Sequence, residues 1–195
     1  MSSFIVYMRL GLEHILDLNG YDHILFVLTL CLAYPAREWK KVAWLLTAFT
    51  AGHSISLGVA TLNLFNYPQA VVEASIAGTI LLTAVFNLAQ PPPANRMVRS
   101  ESSWWRYPLA LVFGLIHGLG FSSYLRSLLG AEESLAEPLI GFNIGLEAGQ
   151  LVIVLIWFIL LNFIVQLTPV KMRSFFTGAS GFAAGMALAL LLQRL

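Results

Sequence analysis

The chain has 195 residues, of which 58% are apolar and only 11% are charged, and its formal net charge is +1. This composition excludes an ordinary soluble domain, and the small net charge gives no reason to expect nucleic-acid binding. The single cysteine, Cys31, excludes an internal disulfide and a thiolate metal cluster. Several apolar runs approach the roughly 20 residues that a helix needs to cross a bilayer. The sequence therefore predicts an all-α, polytopic membrane protein with the lipid bilayer as its surroundings.

In chain order, the hydrophobic pattern predicts a short helical segment followed by six main helices. The segment covers residues 4–17 and ends before the turn-forming pair Asn19-Gly20. The main helices are predicted at 21–35, 39–63, 69–90, 105–129, 138–167 and 173–193. The first of these is short for a span, so the 4–17 segment is expected to pack beside it, half-buried or re-entrant. Residues 1–195 are predicted to form a single transmembrane domain.

Basic residues predict the orientation of this bundle. Apart from Arg9 and Arg194 at the predicted outer ends, most of them lie in alternate loops, while the loops between them hold no Lys or Arg. Because cytoplasmic loops carry the excess of Lys and Arg, residues 36–40, 91–105 and 168–173 are expected in the cytoplasm. The N-terminus is accordingly expected outside.

Ionisable and polar residues gather in the outer half of the predicted membrane. The stretch GLEHILDLNGYDHILFVL brings several of them to the first helices, and all four histidines of the chain belong to the set. Ionisable groups in hydrocarbon are expensive and are functional candidates by default. The set comprises His14, Asp17, Asp22, His23, His53, Glu73, His117, Asn143 and Glu147.

Imidazole and carboxylate groups together suit Ni²⁺, Co²⁺, Zn²⁺ or a related divalent transition metal. The predicted metal ligands are His14, Asp22, His23, His53, Glu73, His117 and Glu147. The residues expected to support them are Asp17, Thr50, Ser54 and Asn143. Because Asp22 and His23 are successive helical residues, one is expected to bind the metal and the other to hydrogen-bond to it.

Structural interpretations of the same residues also remain open. A histidine in a membrane helix often makes an interhelical hydrogen bond and no metal bond. Asp17 and Glu73 are each explained equally by exposure to water near a helix end, and Asn143 by a polar packing contact.

Glycines recur at four-residue spacing in three of the predicted helices. The repeats are Gly114 and Gly118; Gly141, Gly145 and Gly149; and Gly181 and Gly185. Small residues at this spacing allow helix backbones to approach closely. Close packing at these glycines is expected to bring His117 and Glu147 together, and glycine-rich faces are also candidates for a homo-oligomer interface.

Five stretches, in this order, resemble the HupE/UreJ family of bacterial membrane proteins over nearly the whole chain: GLEHILDLNGYDHILFV, TAFTAGHSISL, VEASIA, FGLIHGLGF and FNIGLEAGQL. The resemblance implies an inner-membrane protein of six to seven helices, associated with nickel or cobalt uptake and often with hydrogenase or urease maturation. The histidine and acidic motifs of the family fall on the seven predicted ligands. The separation between His14 and Asp22 is longer than the family pattern.

Three functions are compatible with these observations. The resemblance favours a permease for Ni²⁺ or Co²⁺, although no polar path is evident in the inner halves of helices 69–90 and 138–167. A fixed, zinc-like site favours an intramembrane metal-dependent hydrolase or protease, with Glu73 or Glu147 as general base. The third is an accessory protein that holds a metal without flux or catalysis.

Overall fold

A computed structural model describes residues 2–62, 67–90, 104–129, 136–169 and 171–195. Within these ranges the chain forms seven α-helices and one short 3₁₀ turn at Ala36–Glu38, and no strand. The helices are α1 (Ser3–Leu16), α2 (Asp22–Cys31), α3 (Trp39–Thr61), α4 (Gln69–Ala89), α5 (Arg106–Leu129), α6 (Ala136–Leu167) and α7 (Met172–Arg194). The predicted all-α class is confirmed.

Five helices, α3 to α7, are long and apolar enough to cross a membrane. Helix α2 has only 10 residues, which is too short for a crossing by itself. It ends at Cys31 rather than continuing to residue 35, because Pro35 disfavours helical backbone in the residue before it. The amide groups of Ala33 and Tyr34 instead bond to carbonyls three residues back and tighten the last turn.

Helices α1 and α2 lie end to end along α5 rather than side by side. Three ring contacts show this in chain order: His14 with Phe121 at 4.0 Å, His23 with His117 at 5.2 Å, and Phe26 with Phe113 at 6.0 Å between centroids. On α1 itself, the Tyr7 hydroxyl also donates to the Leu128 carbonyl at 3.4 Å. As the numbers rise in α1 and α2 they fall in α5, so both helices run antiparallel to it. The expected packing of the N-terminal segment beside the next helix is therefore not what the structure has.

The break between α1 and α2 has a local cause. The Asp17 side chain accepts a hydrogen bond from the Asn19 amide at 2.8 Å, which is a turn that competes with helical bonding. The chain resumes as a helix at Asp22 without reversing its direction. Seven of the ten residues of α2 are buried, so the second half of this broken helix lies in the middle of the bundle.

The glycine repeats pair specific helices. A Cβ atom on Gly114 would overlap the carbonyl oxygen of Phe49, so α5 packs directly on α3. A Cβ atom on Gly145 would overlap the carbonyl oxygen of Met8, so α6 packs directly on α1. These contacts do not bring His117 and Glu147 together, contrary to expectation, because the two helices use their glycines against different partners.

The glycine repeat of α7 is open, unlike those of α5 and α6. A Cβ atom on Gly178, Gly181 or Gly185 would meet nothing within 4 Å. Among the described helices, α7 therefore keeps a glycine-rich face on which a second copy of the chain could pack, as a homo-oligomer requires. The glycine repeats of α5 and α6 already contact other helices of the same chain.

Candidate metal centre

Four histidines meet where α1 ends and α2 begins. His14 comes from the last turn of α1, His23 from the first turn of α2, His53 from α3 and His117 from α5. Ligand nitrogens of His14, His23 and His53 all lie within 4.8 Å of one another. The His117 ring is next to this trio, with its centroid 5.2 Å from that of His23. The structure thus brings together residues that are up to 103 positions apart in sequence.

Most imidazole nitrogens of this cluster have no hydrogen-bond partner among the described residues. Five are buried and unpartnered: His14 Nε2, His23 Nε2, His53 Nδ1 and Nε2, and His117 Nδ1. His53 and His117 have 0% exposed surface. Buried polar atoms normally have partners, because each one left without costs about 1–3 kcal/mol. A bound cation would satisfy several of these nitrogens at once, which is the chemistry expected of a metal centre.

Asp22 orients the His23 ring. Its Oδ1 lies 2.9 Å from His23 Nδ1, and its Oδ2 accepts a hydrogen bond from the Arg194 guanidinium at 3.0 Å. A proton on Nδ1 that is donated to this carboxylate leaves the Nε2 lone pair free, as in the carboxylate–histidine–metal arrangement of many metal sites. This geometry favours His23 as the ligand and Asp22 as its hydrogen-bond partner.

Thr79 orients the His117 ring in a similar way. The Thr79 hydroxyl donates its proton to the Ile76 carbonyl at 2.7 Å. Its oxygen therefore accepts from His117 Nε2, which lies 2.9 Å away. The proton on Nε2 leaves the buried Nδ1 of His117 as a lone-pair donor.

Thr79 and Arg194 also belong to the site, although neither was predicted from the sequence. In sequence, a threonine that contacts a neighbouring helix looks the same as one whose hydroxyl bonds only within its own helix. Arg194 departs from the loop-charge pattern as a basic residue at a predicted outer end. In the structure, it also donates to the Glu73 carbonyl at 3.0 Å, so that it ties the end of α7 to α4 and to Asp22.

A cavity of about 860 Å³ opens onto the histidine cluster. His14, His23 and His117 line it together with Asp17 and Glu73. Asp17 is exposed and is occupied by its turn hydrogen bond. The Glu73 carboxylate lies 3.4 Å from the Gln69 amide nitrogen at the cavity wall, and so faces the same space as the histidines without joining their close trio.

The remaining predicted residues lie elsewhere. Thr50, Ser54, Asn143 and Glu147 line a separate cavity of about 420 Å³ between α3 and α6. Glu147 accepts a hydrogen bond there from the Thr47 hydroxyl at 2.6 Å. At about 100° per residue, Glu147 lies about 200° around α6 from Gly145, which faces α1. The structure therefore separates Glu147 from the histidines that it was expected to join.

Asp22→Asn is expected to weaken metal binding by about 10–100-fold, the usual effect of removing the carboxylate that orients a metal-binding histidine. The amide keeps the shape but loses the charge that holds both His23 and Arg194. Titration of purified protein with Ni²⁺ or Co²⁺ measures the change. The control is Asp17→Asn on the exposed turn, which should bind as wild type does. Equal affinities for the two variants would contradict an orienting role for Asp22.

Membrane-length apolar helices around a buried histidine cluster define the class: a multi-pass membrane protein with a candidate metal site inside the bundle. The family model described as HupE / UreJ protein matches residues 1–194, essentially the whole chain. The chain therefore belongs to the HupE/UreJ family, and the resemblance drawn from its motifs is confirmed. Neither the curated proteins nor the solved structures contain a match.

Proposed function

We propose that the chain is a permease for a divalent transition metal of the Ni²⁺ or Co²⁺ class and that the four histidines bind the transported ion. One observation carries this proposal: five buried imidazole nitrogens, which have no hydrogen-bond partner among the described residues, gather at the interruption of a helix inside a bundle of membrane-length helices. Membership of a family associated with nickel and cobalt transport supports it. In this proposal the metal is the substrate rather than a resident cofactor.

The broken helix supports transport. Secondary transporters commonly bind their substrates at discontinuous helices, because the interruption exposes polar groups within the membrane and provides a hinge. We count α1 and α2 as one discontinuous crossing, which gives six crossings with α3 to α7. Together with the basic loops, this count supports an outside N-terminus, an inner-membrane location and a histidine centre in the outer half of the bilayer.

A line of buried polar side chains on α4 supports a route inward. Thr79, Thr83 and Asn87 follow one another at four-residue spacing, from the His117 contact toward the other end of the bundle. Asn87 donates to the Thr29 carbonyl at 2.7 Å and accepts from the Arg106 guanidinium at 3.0 Å. This route was not predicted from the sequence, because the spacing alone does not show whether such side chains line a route or bond within their own helix.

The two ends of this route differ in charge. At one end the large cavity opens onto the histidines, and its four carboxylates (Glu13, Asp17, Asp22 and Glu73) outnumber its single guanidinium, that of Arg194, which pairs with Asp22. At the other end lies the buried guanidinium of Arg106, which is bonded to the neutral Asn87 amide. A fixed guanidinium repels a divalent cation in a low-dielectric region. The arrangement supports a conformation open to the outer side and closed to the cytoplasm, from which transport requires movement near Arg106.

The test is metal uptake into proteoliposomes by wild type and by Asn87→Leu. Wild type should transport Ni²⁺ or Co²⁺. Asn87→Leu should reduce the rate by about tenfold or more, which corresponds to about 1.4 kcal/mol or more on the barrier. It should bind metal as wild type does, because Asn87 lies eight residues beyond Thr79 on α4.

The control for this test is Val85→Leu, an exposed position on the same helix, which should transport at the wild-type rate. Absence of metal flux through the wild-type protein would contradict the permease. Loss of binding along with flux in Asn87→Leu would contradict the inward route.

A fixed metal centre that activates water is the second candidate function. The observation in its favour is that Glu73 lines the same cavity as three of the histidines, where a carboxylate would be available as general base. Three histidine ligands leave a fourth position on Zn²⁺ for water. A tightly retained metal with metal-dependent hydrolysis and no flux would favour this function, and Glu147 would not be its base.

A further inference from the structure

The second cavity, between α3 and α6, has several polar side chains in its lining, although both helices are long and apolar enough to cross a membrane. The polar side chains that line it are Thr47, Thr50, Ser54, Asn143 and Glu147. Apolar neighbours border them, and of these Ile140 and Ile144 are 56% and 47% exposed. The polar groups are therefore recessed beneath an apolar rim, and the histidine centre has no part in the lining.

The hydroxyl hydrogens of these polar side chains are already committed, and so is one of the two amide hydrogens of Asn143. The Thr47 hydroxyl donates to Glu147 at 2.6 Å, the Thr50 hydroxyl to Gln150 at 3.1 Å, and the Ser54 hydroxyl to the Thr50 carbonyl at 2.6 Å. The Asn143 amide nitrogen donates to the Leu139 carbonyl at 2.7 Å. What the cavity offers to a ligand is consequently mainly oxygen lone pairs, including those of the Glu147 carboxylate, which suits a cation better than an anion.

Two groups in this lining lack a compensating partner: Asn143 Oδ1 lacks a hydrogen-bond donor, and the Glu147 carboxylate lacks a positive charge, among the described residues. Asn143 Oδ1 is buried and has no hydrogen-bond partner among the described residues. The Glu147 carboxylate takes part in none of the ion pairs found in the described part of the chain. An unpaired carboxylate at membrane depth is expensive unless a cation neutralises it.

We propose that the cavity between α3 and α6 is a Na⁺ site with Glu147 as its charged ligand and Asn143 Oδ1 and the threonine hydroxyls as neutral ones. Oxygen-only ligands disfavour a transition metal, which takes imidazole readily. A single carboxylate neutralises a monovalent ion, whereas a divalent ion would leave a net charge in a low-dielectric cavity. A proton on Glu147 is the competing occupant, since a carboxyl O–H could donate to Asn143 Oδ1, and the experiment below separates the two.

The position of the site gives it a role, which rests on the proposed permease function. Thr50 and Ser54 flank His53 on α3, three residues before it and one after it. The two sites therefore share one helix, and ordering of α3 by Na⁺ would favour the arrangement that binds metal at His53. Such linkage is reciprocal and makes the Na⁺ site the coupling site of the permease.

The test is thermal unfolding of the purified full chain in detergent with a divalent-metal chelator, in NaCl and in choline chloride at equal ionic strength. Na⁺ should raise the Tm of wild type with a saturable concentration dependence. Glu147→Gln should lose this rise, and Thr47→Val should weaken it while it keeps the volume of the side chain. Glu137→Gln removes another acid from α6 and should keep the full rise.

His53→Ala separates this inference from the proposed function, because it should keep the Na⁺-dependent rise in Tm while losing metal binding. Equal wild-type Tm values in Na⁺ and choline, or an undiminished rise in Glu147→Gln, would overturn the Na⁺ site even if metal transport is observed. A Tm that responds to pH and not to Na⁺ would assign a proton to Glu147 and also overturn it. A Na⁺-dependent rise in Tm without any metal flux would support the Na⁺ site and contradict the permease function.

Discussion

His53→Ala is expected to abolish specific binding of Ni²⁺ or Co²⁺ by the purified protein. His53 is fully buried, both of its ring nitrogens are without partners among the described residues, and it belongs to the closest trio of ligand atoms. Loss of an orienting carboxylate already weakens metal sites by about 10–100-fold, so removal of a ligand should cost about 100-fold or more. Metal titration, with the metal content of the purified protein as a second readout, measures this loss.

Stability provides an independent readout of the same substitution. Metal that binds only the folded state should raise the Tm of wild type, by mass action, and should leave the Tm of His53→Ala unchanged. The matched control is Ser56→Ala, which alters a buried residue three positions along the same helix and should retain metal binding. A His53→Ala protein that binds one metal ion per chain with wild-type affinity would contradict the shared histidine centre.

The positions of the long helices could be predicted from sequence because long, nearly uncharged apolar runs determine where they lie. The predicted limits of α3 to α7 agree with the observed ones to within two residues at each end. In hydrocarbon every backbone group must be bonded within its own helix, so an uninterrupted apolar run has little alternative.

The course of the chain between α1 and α2 could not be predicted in the same way. Asn19-Gly20 indicated a turn, and the structure has a break there. Turn chemistry sets where a helix stops, but the direction in which the next one continues depends on packing against other helices. Here α1 packs on α6 through Gly145 and α2 fills the middle of the bundle, so the two continue in one direction instead of folding back.

The candidate site was predictable in part. The histidines were found because ionisable groups stand out against an apolar chain, and the structure brings all four together. The position of Glu147 depended on which face of α6 meets which neighbour, and this follows from the glycine contact with α1. Thr79 and Asn87 carried no pattern of their own, since their roles come only from what α5 and α2 place opposite them.

Two glycines from repeats with the same four-residue spacing should respond differently to alanine. Gly114→Ala would drive a Cβ atom into the Phe49 carbonyl and to 2.9 Å from the His53 amide nitrogen, and both of these are backbone atoms that cannot rotate away. Helices α3 and α5 would have to separate, at a cost of about 1–3 kcal/mol or more. The separation would also move His53 relative to His117, so the variant should lose both thermal stability and metal affinity.

Gly185→Ala is the counterpart on α7, where an added Cβ atom would meet nothing within 4 Å. Its unfolding free energy should remain within about 0.5 kcal/mol of wild type, as for other substitutions away from packed features. Thermal unfolding and metal titration of both variants in the same detergent provide the comparison.

A similar Tm for the two variants would mean that the α3–α5 contact is looser than the structure has it. A fall in Tm for Gly185→Ala together with a smaller particle mass would instead indicate that α7 packs against a second copy of the chain. Because the spacing of the glycines is the same in both helices, the difference between the variants isolates what the partner helix contributes.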